Sequence, residues 1–245
     1  MLLSISMGLK PKYKRIILKL SGEWFGGADK KGLDFASFNR LAKYLHYLKE
    51  KTNIEIAIVL GGGNLFRGRD VAGTDFDRAT ADYIGMLGTI MNALALQEEL
   101  ERLGSQVRVI SSLEVNSVCE PFIRRRTIRH LEKGRIVILA GGTGSPFFTT
   151  DSAAALKACE LNCDVILKGS NVDGVFTADP RKDGSAKLYQ KLGFQEALEK
   201  GLTVMDNTAF ALCQRENIPI IVFNLQNLEN IEKIILGEQI GTLVT

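Results

Sequence analysis

The chain is short of the residues from which several common kinds of site are built. Its 245 residues include two histidines, His46 and His130, and four cysteines without a C-x-x-C pair. A structural zinc site needs closely spaced thiolates or imidazoles, so this spacing argues against one. Cysteines in such a pattern are typical of buried thiols in a reducing compartment, and we therefore expect a cytoplasmic protein.

Long apolar runs and a strong excess of one charge are also absent. No run approaches the roughly 20 residues of a membrane span. The net charge of +3, with 45% hydrophobic and 24% charged residues, is typical of a globular protein and gives no argument for nucleic acid. Residues 1–12 are expected to be a poorly ordered N-terminal extension without a secretory signal. Residues 13–245 are expected to form a single domain.

Apolar runs rich in Val, Ile and Leu alternate with helical patterns along the whole chain. About eight such runs have the length of strands, and no Pro/Ser-rich linker separates them. This alternation predicts an α/β fold, a three-layer αβα sandwich with a central, mostly parallel sheet. In such sheets ligands bind beyond the carboxyl ends of the strands.

One helix is predicted to be much longer than the others, from about Ala81 to Leu103, and to end at Gly104. We expect one of its faces to pack in the core, because apolar residues recur along it at helical spacing. These residues are Ile84, Leu87, Met91 and Leu94. The segments 24–32 and 70–80 are expected to be loops.

The stretch from Gly141 to Asp151 carries the strongest signal of a binding site. Its sequence, Gly-Gly-Thr-Gly-Ser-Pro-Phe-Phe-Thr-Thr-Asp, lies between a predicted strand over 135–140 and a predicted helix from 152. Backbone N–H groups of a glycine turn and of a first helical turn together form an anion site. Taken alone, the stretch is equally well a loop before a helix capped by Thr150 or Asp151.

Three further features fall at the predicted carboxyl ends of strands. They are Lys19, the turn Gly61–Gly63 followed by Arg67, and Lys168. A lysine offers an oxyanion a point charge, and an arginine offers it a fork of two donors. Because parallel strands end at one edge of the sheet, we expect all these features to converge on one anion site.

The common motifs for phosphate binding and acyl transfer are missing. No Gly-Lys pair occurs, which excludes a Walker A loop, and neither glycine cluster fits G-x-G-x-x-G. No G-x-S-x-G elbow is present either. The remaining set of lysines, arginine, glycine turns and Asp151 suits phosphoryl transfer, in which a protein positions two anions and neutralises their charge.

Four stretches together resemble the bacterial uridylate kinases, a branch of the amino acid kinase family. They are Lys19–Gly22, Gly61–Arg67, Gly141–Asp151 and Val172–Pro180, and the resemblance extends from about residue 13 to the C-terminus. The first two are shared with relatives that phosphorylate carboxylates or carbamate, whereas the third belongs to the uridylate branch. The resemblance implies transfer of the ATP γ-phosphoryl group to UMP, giving UDP, with Mg²⁺ and in pyrimidine nucleotide (CTP) biosynthesis.

The resemblance also implies roles for individual residues. The expected catalytic residues are Lys19, Arg67, Asp151 and Lys168, with Lys168 stabilising the transition state and Asp151 orienting both lysines. The residues expected to bind ATP are Lys19, Leu20, Ser21, Gly22, Gly63, Arg67, Ser170, Asn171, Phe176 and Asp179. Those expected to bind UMP are Gly62, Asp82, Thr143, Gly144, Ser145, Pro146, Phe147, Phe148, Thr149 and Thr150. The protein is expected to hold no metal of its own, because Mg²⁺ enters with ATP. The acceptor half is expected over about 13–160 and the ATP half over about 161–245.

Assembly and regulation are implied in the same way. The resemblance implies a cytoplasmic homohexamer built largely through the long helix, with GTP and UTP as candidate effectors and no membrane or nucleic-acid partner. The segment 27–32 departs from the pattern expected for GTP control, and Ser145 and Ser170 replace an Asn and a Thr. Two alternatives remain, a carboxylate kinase of the same fold and a non-catalytic oxyanion-binding or storage protein. The Pro146–Thr150 run argues against the first, and the complete catalytic set argues against the second.

Overall fold

A computed structural model of the chain describes residues 10–71, 73–180, 182–202 and 204–245. Residues 1–9 of the expected N-terminal extension lie outside this part. Within the extension, the backbone N–H of Lys12 donates to the carbonyl of Ile235, with 2.8 Å between N and O. None of the helices in the described ranges is long and apolar enough to cross a bilayer.

A nine-stranded sheet forms the centre of the fold. Its strands are β1 (Arg15–Leu20), β2 (Glu55–Leu60), β3 (Val107–Ser111), β4 (Glu120–Pro121), β5 (Ile136–Ala140), β6 (Val165–Ser170), β7 (Lys191–Leu192), β8 (Ile220–Asn224) and β9 (Thr242–Val244). The order across the sheet is β4-β3-β5-β2-β1-β6-β8-β9-β7. The pair β8–β9 is antiparallel and the other neighbouring pairs are parallel, which confirms the predicted mostly parallel sheet.

Helices cover both faces of the sheet. They are α1 (Phe35–Lys51), α2 (Arg78–Glu101), α3 (Arg124–Glu132), α4 (Thr150–Leu161), α5 (Phe194–Glu199), α6 (Asn207–Glu216) and α7 (Glu229–Ile235). One apolar cluster joins the sheet to α1, α2 and α7, and a second joins it to α3, α4, α5 and α6. Successive strand residues alternate between them, since Ile16 and Leu18 lie in the first and Ile17 in the second. The predicted three-layer αβα sandwich is therefore confirmed.

The long helix differs from its prediction in where it begins and in what it buries. It begins at Arg78, because the Asp77 side chain accepts a hydrogen bond from the N–H of Thr80 and caps it. Leu87 is 48% exposed and Met91 is 50% exposed, so the prediction that both lie in the core was wrong.

The buried face of α2 carries small residues where it passes the glycine turn after β2. Gly88, Thr89 and Ala93 lie on it, together with Met86 and Ile90. The glycine turn after β2 explains this choice, because a Cβ on its second glycine would lie 2.5 Å from a carbonyl oxygen of α2. At the point where backbone approaches the helix this closely, there is no room for a large side chain.

The expected loop over 24–32 is partly ordered into 3-10 turns, which run from Gly22 to Asp29. Ser21 precedes them and accepts a hydrogen bond from the N–H of Glu23. These turns bring the residues after β1 toward the glycine turn after β2.

Candidate active site

Lys19 and Lys168 lie near the carboxyl ends of two adjacent strands at the centre of the sheet, where β1 and β6 pair in parallel. Asp151 lies between them in the first turn of α4. Its Oδ1 is 2.6 Å from the Nζ of Lys19, and its Oδ2 is 2.7 Å from the Nζ of Lys168. Lys168 also donates to the carbonyl oxygen of Val204 at 2.6 Å. The structure thus brings three of the four expected catalytic residues into direct contact.

The charges of this cluster depend on one another. Burial acts to raise the pKa of Asp151, but Lys19 and Lys168 outweigh it and hold that pKa below its ordinary value of 3.8. Burial lowers the pKa of Lys168 below its ordinary value, and neighbouring Lys19 adds to this, although Asp151 opposes it. Asp151 is therefore ionised at neutral pH, while Lys168 loses its proton more easily than an exposed lysine.

The glycine turn Gly61–Gly63 is fixed to α2 by a pair of buried amides. Asn64 and Asn92 donate to each other's side-chain oxygens at 2.9 and 2.8 Å, and Asn92 also donates to the carbonyl of Gly61 at 2.8 Å. The turn lies so close to β1 that a Cβ on Gly22 would be 2.5 Å from the backbone nitrogen of Gly63. A Cβ on Gly61 would likewise be 2.7 Å from the backbone nitrogen of Gly22, so Gly22 and Gly61 are both required for the two loops to meet at the strand ends.

Arg67 is held at the wall of the site by three oxygens, one of which is the carbonyl oxygen of Lys30, 3.4 Å from its Nη2. Its Nε donates to the carbonyl of Gly63 at 2.6 Å, and its Nη2 lies 3.2 Å from Oε1 of Glu23. No sequence pattern points to Glu23, because its place beside Arg67 depends on how the turns after β1 fold. An incoming phosphate would compete with the Glu23 carboxylate for the guanidinium group.

The loop from Gly141 to Phe148 is attached to α2 at two points. The N–H of Gly141 donates to Oγ1 of Thr89 at 2.8 Å, and the N–H of Phe147 donates to Oδ2 of Asp82 at 2.8 Å. Phe147 has a φ of 71°, a left-handed conformation that is unfavourable for a bulky side chain. Asp82 therefore holds a strained residue of this loop in place.

The start of α4 is capped by Thr149, not by Thr150 or Asp151 as predicted. The Thr149 hydroxyl accepts hydrogen bonds from the N–H groups of Asp151 and Ser152 at 3.0 and 3.3 Å. It also donates its proton to Oδ2 of Asp206. Because a hydroxyl has one proton, this side chain has no second donor for a ligand in the present arrangement.

Two cavities meet at Lys19 and Ser21. The first has a volume of about 560 Å³, and the second has a volume of about 780 Å³. The expected site residues on the wall of the first are Lys19, Ser21, Gly22, Gly62, Gly63, Arg67, Asp82, Phe148, Thr149 and Thr150. Those on the wall of the second are Lys19, Ser21, Lys168, Ser170 and Asn171.

The other expected site residues lie outside the walls of these two cavities. Leu20 is fully buried in β1, and the loop residues Thr143, Gly144, Ser145, Pro146 and Phe147 lie next to Phe148 in the chain. Phe176 forms an isolated bridge with Leu188, and Asp179 follows it in the same segment. Among the described residues, no group of three or more His, Cys, Asp or Glu side chains is placed to hold a metal ion.

Comparisons with known proteins agree with this architecture. The profile of the amino acid kinase family matches residues 14–224. Among solved structures, the UMP kinase of Bacillus anthracis is 41% identical with a TM-score of 0.91, and the match covers 95% of this chain and 96% of that one. The UMP kinase of Ureaplasma parvum is 37% identical with a TM-score of 0.89, covering 96% and 99%. The uridylate kinase of Archaeoglobus fulgidus is 28% identical with a TM-score of 0.71, covering 94% and 99%.

Proposed function

This chain belongs to the amino acid kinase family, and we propose that it transfers the γ-phosphoryl group of ATP to UMP, giving UDP and ADP. The observation that carries the proposal is the contact of Lys19 and Lys168 with Asp151 at the point where two cavities meet. Two ammonium groups held beside each other at such a point suit a reaction in which negative charge passes between two phosphate-bearing ligands.

UMP is proposed as the acceptor on two grounds. The run from Gly141 to Asp151 has the pattern of the uridylate branch, and its Phe148, Thr149 and Thr150 line the first cavity. The two solved structures that are 41% and 37% identical are both UMP kinases. UDP formation would place the chain in pyrimidine nucleotide biosynthesis.

The transfer step follows from the positions of the cations and the glycine turns. Lys19, Arg67 and the N–H groups of Gly22 and Gly63 would hold the phosphates of ATP. An oxygen of the UMP phosphate forms a bond to the γ-phosphorus, while the bond from that phosphorus to the bridging oxygen breaks and its electron pair leaves with ADP. Lys168 would stabilise the charge on the moving group. Because a phosphate monoester is largely ionised at neutral pH, the acceptor oxygen needs no general base.

Mg²⁺ fits this site as a companion of ATP and not as a resident ion. Both carboxylate oxygens of Asp151 are in contact with lysines, and the described residues offer no cluster of three ligating side chains. Mg²⁺ is typically bound by substrate phosphates, waters and one or two carboxylates. When bound, it neutralises charge on the β- and γ-phosphates.

We propose a homohexamer that assembles largely through α2. Tyr83, Leu87 and Met91 are 43%, 48% and 50% exposed and lie four residues apart, so they form one apolar row on the outer face of the helix. Exposed apolar rows of this kind are typical of interfaces. GTP and UTP as effectors and a cytoplasmic location rest on the family resemblance. The acceptor half, about 13–160, would contain the 141–151 loop, and the ATP half, about 161–245, would contain Lys168.

An acceptor panel tests the proposed function. Purified protein would be incubated with ATP and Mg²⁺ and, in parallel, with UMP, CMP, dUMP, acetylglutamate or aspartate, and formation of ADP would be followed by a coupled assay. We expect turnover with UMP far above that with either amino acid. Turnover with an amino acid would identify a carboxylate kinase, and UMP binding without any turnover would identify an oxyanion-binding protein.

A further inference from the structure

Asp206 lies behind the catalytic residues and connects two helices of the same layer. Its Oδ1 caps α6, accepting from the N–H groups of Thr208 and Ala209 at 2.9 and 3.0 Å. Its Oδ2 accepts the proton of the Thr149 hydroxyl, and the Ser152 hydroxyl lies 3.0 Å from both oxygens. One carboxylate therefore caps its own helix and also holds the start of α4.

The start of α4 carries the carboxylate on which both lysines depend. Thr149, held by Asp206, accepts the N–H of Asp151 and so fixes the backbone of that residue. The Asp151 side chain then contacts Lys19 and Lys168. A displacement of Thr149 would move Asp151 and, through it, both ammonium groups.

A second connection reaches Lys168 directly. Lys168 donates to the carbonyl of Val204, which lies two residues before Asp206 in the same segment. The charged groups that act on Lys168 are Asp151, Lys19 and Asp206, and the negative charge of Asp206 acts to raise the pKa of Lys168 against the effect of burial. The segment 204–206 is thus linked to the catalytic residues by hydrogen bonds at both ends and by charge.

A helix cap alone does not need these connections, as the cap of α2 shows. Asp77 accepts from the N–H and the hydroxyl of Thr80 at 2.7 and 2.8 Å and is exposed to solvent. Asp77 and Asp206 are the same residue type at the same helical position. They differ in that Asp206 also binds residues of a neighbouring helix.

We propose that Asp206 is a positioning residue for phosphoryl transfer, which holds the first turn of α4, and with it Asp151, against the segment that binds Lys168. This inference rests on the proposed function, in which Asp151 and Lys168 act on the moving phosphoryl group. Asp206 lines neither of the two cavities. The proposed function gives it no contact with either nucleotide.

The test compares Asp206→Asn with the matched control Asp77→Asn. Asparagine caps a helix about as well as aspartate, so both variants keep a competent cap. At position 206 the amide presents N–H donors to a Thr149 hydroxyl that already accepts from Asp151 and Ser152. We expect kcat of Asp206→Asn to fall by about ten- to a hundredfold, since a small displacement of reacting groups has an effect of this order. KM for both nucleotides should change by less than about threefold, and Asp77→Asn should match the wild type.

Two further measurements distinguish a positioning role of Asp206 from an effect on the stability of the protein alone. Loss of the Asp206 charge should move the alkaline limb of the kcat–pH profile to lower pH, whereas Asp77→Asn should leave the limb in place. In a double-mutant cycle, Asp206→Asn should cost little further kcat once Thr149→Val has removed the hydroxyl between them. A purely structural role would change neither the limb nor the coupling.

Several results would overturn the inference. A folded Asp206→Asn variant with wild-type kcat and an unchanged alkaline limb would do so while leaving the proposed function intact. If Asp206→Asn does not fold, Asp206→Ser keeps a cap but is too short to reach Thr149, and failure of both variants to fold would show a structural role instead. A wild-type protein without turnover on UMP would overturn the proposed function, and this inference with it.

Discussion

Lys19 and Lys168 are direct partners in the ladder between β1 and β6, and their ammonium groups contact the two oxygens of one carboxylate, Asp151. Two like charges at adjacent strand ends repel each other, and an opposite charge between them offsets this repulsion. Asp151 neutralises one of the two and leaves a net positive charge at the meeting point of the cavities. The pair is thus stable without a ligand and remains attractive to a phosphoryl group.

Replacing Lys168 tests which part of this cluster acts on the moving group. In Lys168→Ala, kcat should fall on the order of a hundred- to a thousandfold, because a charge aimed at the transition state is lost. Lys19 still neutralises Asp151, so the fold should remain, as measured by thermal melting followed by circular dichroism. UMP affinity measured by calorimetry should change little. Retained turnover would show that Lys168 does not act on the reaction.

The pH dependence of kcat tests the charge state of the same residue. Burial lowers the pKa of Lys168, so the protonated and active form is lost at a pH below 10.5, the ordinary value for lysine. We therefore expect kcat to decline on the alkaline side below that pH. In Lys168→Arg the limb should move to higher pH, because arginine keeps its proton, although kcat itself falls. An alkaline limb at the same pH in both proteins would assign it to another group.

Removing the carboxylate tests the stability of the cluster. Asp151→Asn removes the carboxylate that both buried cations contact, and we expect a loss of about 3 kcal/mol in the free energy of unfolding at neutral pH. The pKa of Asp151 is depressed in the folded protein, so its stabilising effect is present above the ordinary value of 3.8 and is lost as pH falls through the folded-state value. Denaturant unfolding of wild type and variant should therefore converge in acid. A constant difference between them at all pH values would contradict this assignment.

The glycine turn after β2 offers a steric test. A Cβ on Gly62 would lie 2.5 Å from the carbonyl oxygen of Gly85, so Gly62→Ala must push the turn away from α2. We expect a loss of about 1–3 kcal/mol in stability and reduced kcat/KM for UMP. Gly184→Ala is the matched control, because nothing lies within 4 Å of its added Cβ. Wild-type kinetics in Gly62→Ala would show that the contact is relieved elsewhere.

The outer face of α2 tests assembly. Leu87→Glu places a charge in the centre of the exposed apolar row and should lower the mass measured by light scattering after size exclusion. Phe35→Glu is the control, since Phe35 is 61% exposed on a different helix. Equal masses for wild type and Leu87→Glu would place the interface elsewhere or exclude an assembly.

Much of the fold follows from periodicity, and the exceptions have physical causes. The apolar runs predict β1, β2 and β5 because these strands are buried on both faces. The edge strands β4 and β7 have two residues each, too few to produce a pattern. The sequence wrongly predicts Leu87 and Met91 to lie in the core, because an exposed apolar row on a helix has the same residue spacing as a buried one.

The residues of the site likewise divide into those that the sequence predicts and those that it does not. Lys19, Asp151 and Lys168 could be predicted to meet because each lies at a strand end or a helix start on one edge of the sheet. Asp206 could not, because it is 57 residues from Thr149 in sequence and its place before a helix is fully explained as a cap. Glu23 likewise gains its partner Arg67 from the turns of the backbone after β1 and from no local pattern.

The most direct measurement of the central claim follows the phosphoryl group itself. The protein would be incubated with ATP labelled in the γ-phosphate, Mg²⁺ and UMP, and the products would be separated by chromatography. We predict label in UDP, in an amount equal to the ADP formed, and a rate of labelling with Lys168→Ala that is lower on the order of a hundred- to a thousandfold. Label appearing only as inorganic phosphate, with no labelled UDP, would contradict transfer to UMP.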